Sequence, residues 1–228
     1  MTAALYIGKE GLEDDIRIKE LAESLERGGC SCYNVFEGGR LTDGTDLVLS
    51  VGGDGTFLSV AMLVGDTGIP VVGVNLGRLG FLSENHPEDV AQAILKKDYT
   101  IEDRSLLMAS LSTESGNHDI DGWPYALNEV AVHRSGAAML GVDVCLDGKW
   151  LPTYWADGLI VSTSSGSTAY SLSVGGPIVL PQSKVLIVAP IAPHNLNIRP
   201  LVIPDSSEIR LRTHSRDGKA IFTIDNRT

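Results

Sequence analysis

The sequence predicts an α/β domain over residues 1–103 followed by a mostly β domain over residues 104–228. Three observations predict it. Apolar strand-like runs alternate with amphipathic helix-like segments as far as Lys97, the pattern of a parallel sheet covered on both faces. Beyond Arg104 the apolar runs become short and β-like, punctuated by turn dipeptides. The glycine-dense stretch Gly52-Gly53-Asp54-Gly55-Thr56 joins a strand-like run to a helix-like one, as ligand loops do at the strand ends of open α/β sheets. The first domain is therefore expected to carry a Rossmann-like parallel sheet.

Taken in order, residues 3–7 form a short apolar strand that stops at Gly8. A helix is expected over residues 12–27, with Ile18, Leu21, Ala22 and Leu25 on one face and Gly28-Gly29 as its stop. Residues 30–35 and 47–51 give the next strands, and residues 57–63 the helix after the glycine turn. Residues 69–75 give the fourth strand, and Pro87 opens a helix that runs to Lys97. In the second half, residues 106–111, 126–133, 141–146, 158–163, 185–189, 209–212 and 220–224 read as strands. Asp147-Gly148 and Asp217-Gly218 are hairpin dipeptides, and one helix is expected from Ser167 to Gly175.

Composition narrows the function. With 43% apolar and 21% charged residues, the chain has an ordinary globular composition, and no apolar stretch reaches the ~20 residues of a membrane span. A net charge of -11 argues against a nucleic-acid surface, which needs clustered Lys and Arg, but leaves room for a nucleotide whose charge is met locally. Cys30, Cys32 and Cys145 lack metal-ligand spacing and read as structural thiols of a cytoplasmic protein.

The glycine turn is suited to phosphate: glycine lets the backbone approach an anion, and the turn and helix start aim N–H groups at it. Asp54 stands out there, because a carboxylate repels bare phosphate. It must act through a metal, accept a proton or hold a ribose hydroxyl; the alternative is a helix cap. A second loop, residues 75–82, follows a strand at the same end of the sheet, with Arg78 able to meet phosphate and Phe81 to line an apolar ligand, or else to sit in the core. Asn128 and Glu129 lie inside a strand-like run, where alternation puts them on opposite faces. Residues 157–171 lead a buried strand into a hydroxyl-rich turn and a helix start, which favours ribose or phosphate oxygens. Gly166-Ser167-Thr168-Ala169-Tyr170 lacks the second glycine of a nucleophile elbow, which argues against a catalytic serine.

In this order and spacing, GGDGT, NLGRLGFL, Asn128-Glu129, DGLIVSTSSGSTAYSLSVGGPI and APIAPHNLNIRPLVIPDSSEI resemble the NAD kinase family, from about Asp46 onward. The resemblance implies an enzyme of the NAD kinase/diacylglycerol kinase-like fold that transfers the γ-phosphate of ATP, with a divalent metal such as Mg²⁺, to the 2′-hydroxyl of the adenosine ribose of NAD. Some members accept inorganic polyphosphate. It also implies a homodimer or homotetramer whose NAD site is shared between subunits, with no membrane or nucleic-acid partner.

Carried over by position, Asp54 would take the 2′-hydroxyl proton, and Gly52, Gly53, Gly55 and Thr56 would surround the phosphate donor, with Gly55 also at the NAD. Phe81 would border the adenosine, and Asn128 and Glu129 would hold ribose and phosphate. Thr168, Ala169, Tyr170, Ser171, Leu172 and Ser173 would meet the adenine and the nicotinamide-bearing half, and Asp157 would reach adenine from the adjacent subunit. No protein ligand to the metal is assigned. Three departures stand out: Thr163-Ser164-Ser165-Gly166 replaces the usual Thr-Pro-Thr-Gly, Trp155 stands where many members have Arg, and the family's last β segment and carboxyl-terminal element are expected to be missing after Thr228. The alternatives are a lipid kinase of the diacylglycerol or sphingosine type, which shares the glycine loop, and a non-catalytic dinucleotide-binding protein.

Overall fold

Leu47-Val48-Leu49-Ser50-Val51 is buried at every position, as only a strand with both faces covered can be. The computed structural model, which describes residues 1–77, 80–113, 116–120, 122–195 and 197–228, places this run at the centre of a parallel sheet. The chain divides into two compact units, Met1–Ile101 and Glu102–Thr228.

In the first unit, β1 (Thr2–Ile7), β2 (Ser31–Val35), β3 (Leu47–Val51) and β4 (Val71–Val74) lie in the order β2-β1-β3-β4, all parallel. The helices between them are α1 (Ile16–Arg27), α2 (Asp54–Val64) and, after β4, α3 (Pro87–Lys96). Alternation splits the core in two. Ala3, Leu5, Ile7, Leu49 and Val51 meet Ile18, Leu21 and Leu25 of α1 and Val90 and Ile94 of α3. Ala4, Tyr6 and Val48 face the other way, against Val60 and Val64 of α2. Truncating the fully buried Leu49 to Ala is expected to destabilise this unit by roughly 2–5 kcal/mol, read as a lower urea midpoint; an unchanged midpoint would contradict the assigned packing.

Two helix starts differ from the sequence expectation. The segment from Leu12 begins as a 3₁₀ turn, and α1 proper starts at Ile16 because the Asp15 side chain accepts the Arg17 N–H as an N-cap. α2 starts at Asp54, not at residue 57: extended Gly53 is its N-cap, so the acid sits in the helix's first turn.

The second unit adds β5 (Leu107–Met108), β6 (Leu111–Thr113), β7 (Gly116–His118), β8 (Tyr125–Ala126), β9 (Glu129–Arg134), β10 (Leu140–Leu146), β11 (Lys149–Trp150), β12 (Tyr154–Ala156) and β13 (Gly158–Thr163). After α4 (Tyr170–Ser173) come β14 (Val185–Ile191), β15 (Leu201–Pro204), β16 (Ile209–His214) and β17 (Ala220–Ile224). Among the described residues, one antiparallel sheet runs β15-β14-β13-β9-β17, and another centres on β10 with β11, β12 and β16. Val132, Leu159, Leu186 and Val188 of the first pack with Leu140, Val142, Val144 and Tyr154 of the second. Asp147-Gly148 makes a hairpin between β10 and β11, both residues at positive φ. Asp217-Gly218, expected as a hairpin, instead carries the chain from β16 in one sheet to β17 in the other. The helix expected from Ser167 is a 3₁₀ turn, Ser165–Thr168, followed by the single turn of α4. The strand expected over residues 126–133 breaks at Leu127-Asn128, between β8 and β9.

Candidate active site

In the first unit the predicted residues gather at the carboxyl ends of β1, β3 and β4. Gly8 and Gly52 follow neighbouring strands, and a β-carbon on either would lie 2.2 or 2.4 Å from Thr56 Oγ1. Gly52 also has φ +152°, so glycine is required there by both space and backbone. Thr56 is thus wedged between two strand ends, and Gly8 is a partner that the glycine motif alone does not reveal. Gly53 and Gly55 are different: a β-carbon on either meets nothing within 4 Å. No contact within the fold requires glycine at these two positions, and their backbone is left open. Gly55→Ala, in the first turn of α2, is accordingly expected to raise stability by about 0.5–1 kcal/mol; a loss of stability in a thermal melt would show a constraint from the fold itself.

Asp54 is tied to the second loop. Its Oδ2 accepts the Phe81 N–H at 3.0 Å, and its Oδ1 accepts those of Leu82 at 3.0 Å and Ser83 at 3.1 Å. A β-carbon on Gly80 would stand 2.2 Å from Oδ1. A carboxylate offers about four acceptor directions, so roughly one is left for another donor. The loop is framed further by Asn75, whose Nδ2 donates to Ser83 O and whose Oδ1 accepts Gly77 N–H, and by Arg17, which donates to Leu76 O. Phe81 is 67% exposed, so its ring is not a core group. Arg78 lies outside the described residues.

In the second unit Asn128 and Glu129 are both buried. The alternation that would separate them does not apply, because the strand is interrupted just before Glu129. Asp225, in a left-handed turn after β17, accounts for the interruption: its Oδ2 accepts Leu127 N–H at 3.0 Å, and its Oδ1 accepts Asn128 N–H at 2.8 Å and Glu129 N–H at 3.1 Å. Arg227 of the same turn donates to Trp123 O and Tyr125 O. Asp225-Asn226 is a turn dipeptide in the sequence, which marks its own backbone but not partners about a hundred residues away.

Burial, reinforced by the Asp225 charge, pushes the Glu129 carboxyl up to about 7 against the opposing N–H of Tyr170. Its Oε2 is buried with no hydrogen-bond partner. Between its ordinary 4.5 and about 7, the folded protein holds a proton that the unfolded chain has released, so this group makes stability fall as pH rises through that window. Urea midpoints at about pH 5 and about pH 8 check the sign, and Glu129→Gln should flatten the slope.

The hydroxyl-rich turn behaves differently from its sequence expectation. Ser162 and Thr163 donate to Asn128 O and Leu127 O, Ser164 to Ser183 O and Val185 O, and Ser167 to Val179 O. These buried hydroxyls and the carbonyls of the strand break and of residues 179–185 satisfy one another, so these side chains hold the turn. Gly166 passes so close that a β-carbon would lie 2.1 Å from Asn128 O. Ser165 and Ser171 keep buried hydroxyls without a hydrogen-bond partner. Beyond them Thr168 and Ala169 are half-buried, while Tyr170, Leu172 and Ser173 are exposed; the Tyr170 ring stacks on His133 at 5.9 Å.

Asp157 stands apart. Glu129 pairs with Ser162 at one end of β13 and Asp157 precedes the other end, roughly 16 Å along the strand. There Asp157 meets Arg134 Nε at 2.7 Å, so a cation from β9 accompanies it although Trp155 occupies the position expected for Arg. Among the described residues no three His, Cys, Asp or Glu side chains gather as a metal site, and no helix is long and apolar enough to cross a membrane.

Residues 35–99 match the ATP-NAD kinase N-terminal domain family, and residues 127–228 match the ATP-NAD kinase C-terminal domain family. The chain belongs to the NAD kinase family. A NAD kinase of Flavobacterium psychrophilum is 47% identical over 186 residues, 80% of this chain and 63% of that protein. The chain thus spans a little over three-fifths of the length of the curated NAD kinases it matches, with 62% for the relative from Bacteroides fragilis. Among solved structures, an NAD kinase from Archaeoglobus fulgidus in complex with ATP superposes with a TM-score of 0.79 at 29% identity, over 100% of this chain and 85% of that one. Yeast NADH kinase complexed with NADH gives 0.81 at 27% identity, over 99% and 75%. NAD kinases therefore share both the parallel first sheet and the antiparallel second unit.

Proposed function

We propose that the protein is a NAD kinase, transferring the γ-phosphate of ATP to the 2′-hydroxyl of the adenosine ribose of NAD. The observation that carries this is the presence of two prepared ligand loops in one chain of this family: an open glycine turn at the start of α2, and a buried Glu129 with an unpartnered oxygen. The solved relatives that bind ATP and NADH support the two substrate classes.

The backbone of Gly53 and Gly55 and the positive end of α2 would receive donor phosphates. Asp54, with roughly one acceptor direction free, would take the ribose hydroxyl, orient it and accept its proton. Asn128 and Glu129 would hold the ribose and the adjoining phosphates. Exposed Phe81, Tyr170 and Leu172 offer apolar contact for the rings of the dinucleotide, with Thr168, Ala169, Ser171 and Ser173 beside them. A divalent ion, Mg²⁺ or similar, would neutralise charge on the donor phosphates; with no protein cluster among the described residues, its ligands would be phosphate oxygens and water. The distance of Asp157 from Glu129 along β13 favours a role for Asp157 in the site of a neighbouring subunit of a homodimer or homotetramer.

Phosphate transfer from labelled ATP to NAD, compared with transfer to vesicles containing diacylglycerol or sphingosine, tests the assignment. Label in NADP alone is expected. Label in lipid alone would replace it with the lipid-kinase alternative, and Gly55→Ala should lose NADP formation while keeping its raised stability.

A further inference from the structure

We infer that Asp225 is a positioning residue for the nucleotide: its carboxylate holds the backbone of residues 127–129 in the one conformation that turns both Asn128 and Glu129 toward a ligand. The inference rests on the proposed nucleotide site and adds a residue that the proposed site does not contain. Three consecutive amides, those of Leu127, Asn128 and Glu129, converge on one carboxylate at 2.8–3.1 Å. In a regular strand successive N–H groups point to opposite sides, so this convergence is possible only where the ladder is broken. The break is locked from both directions. Asp225 N–H donates to Glu129 O, and the guanidinium of Arg227 takes the carbonyls of Trp123 and Tyr125.

The same device occurs in the first unit, where Asp54 accepts the three consecutive amides of Phe81, Leu82 and Ser83. Each ligand loop is thus held by one acid from a distant part of the chain. The second case has an electrostatic consequence that the first lacks. Asp225 faces Glu129, whose Oε2 is buried and unpartnered. The groups that act on Glu129 are the Asp225 carboxylate from the turn after β17 and the Tyr170 N–H from α4; the Tyr170 ring in turn stacks on His133, four residues along β9. The Arg227 guanidinium is turned onto carbonyls. Asp225 therefore does two things to the site: it sets the backbone, and its charge holds a proton on Glu129 to higher pH.

The test is the dissociation constant of NAD, measured by calorimetric titration of the whole protein between about pH 5.5 and about pH 8.5, for the wild type and Asp225→Asn. Ribose hydroxyls donate to an ionised carboxylate, so wild-type affinity should rise with pH as Glu129 loses its proton. In Asp225→Asn, one amide N–H loses its acceptor and the like charge is gone. Affinity should fall about 10- to 100-fold at every pH, and the midpoint of the pH dependence should move to lower pH. A weaker affinity with an unmoved midpoint would mean a merely structural role and overturn the inference, as would unchanged affinity. Asp225→Ser, which keeps one acceptor and removes the charge, is the second variant. If neither variant folds by circular dichroism, Asp225 is a folding element and the inference is wrong. Failure of the wild type to bind NAD at any pH is a separate result, and it would overturn the proposed function on which the inference rests.

Discussion

Asp54→Asn is expected to lower NADP formation by about 10²–10⁴-fold while the KM for NAD stays within a few-fold. The size follows from the loss of proton acceptance at a positioned hydroxyl. The split between kcat and KM follows from geometry. Two of the three amides that Asp54 accepts converge on Oδ1 and one on Oδ2. An asparagine with its oxygen at the Oδ1 position keeps the Leu82 and Ser83 bonds and sets its NH₂ against the Phe81 N–H. That mismatch costs about 1–3 kcal/mol of stability, a modest fall in melting temperature, without opening the loop. If kcat is unchanged and KM rises instead, Asp54 only clamps the loop and the proton goes elsewhere.

Gly80→Ala should be as damaging to activity, although no chemistry is assigned to Gly80. Its β-carbon would stand 2.2 Å from Asp54 Oδ1 and 2.8 Å from Asp54 Cγ, inside any permitted contact. Either the carboxylate turns away, releasing the amides of residues 81–83, or the loop retreats. In both cases the free acceptor direction of Asp54 is misdirected, and a misplacement of about 1 Å at a reacting group can cost 10²-fold. Overpacking should also remove about 1–3 kcal/mol of stability. Gly55→Ala gives the contrast, since a β-carbon there meets nothing. A Gly80→Ala protein with wild-type kcat and melting temperature would show that the carboxylate is not confined by this loop.

The alternation of the core explains how far the fold could be read from the chain. Residues 3–7 and, but for Ser50, residues 47–51 are apolar because even and odd positions face separate helix layers, and such runs are legible without tertiary knowledge. Helix starts are less legible, because they depend on the conformation of the capping residue: the Asp15 side chain accepts an amide of α1, whereas Gly53 caps α2 through its extended backbone alone, and each moves a boundary by several residues. The glycine turn, Phe81 and Asn128-Glu129 could be located by motif. What a motif could not convey is which groups are already in use. Ser162 and Thr163 read as ligand hydroxyls but serve the carbonyls of Asn128 and Leu127 at the strand break, whose amides go to Asp225 nearly a hundred residues later; Ser164 and Ser167 serve carbonyls of residues 179–185. Burial raises the proton affinity of Glu129, and the charge of the same distant acid adds to it. Long-range polar contacts of this kind leave no local period or spacing to find.

The proposed reaction is phosphate transfer from ATP to the 2′-hydroxyl of NAD. Its most direct measurement is NADP formation from NAD, Mg²⁺ and ATP, or polyphosphate as alternative donor, followed by an NADP-specific dehydrogenase, for the wild type and Asp54→Asn side by side. NADP made by the wild type and almost none by the variant is the predicted result. Saturable NAD binding by the wild type with no NADP from either donor would contradict it and leave a dinucleotide-binding protein without kinase activity.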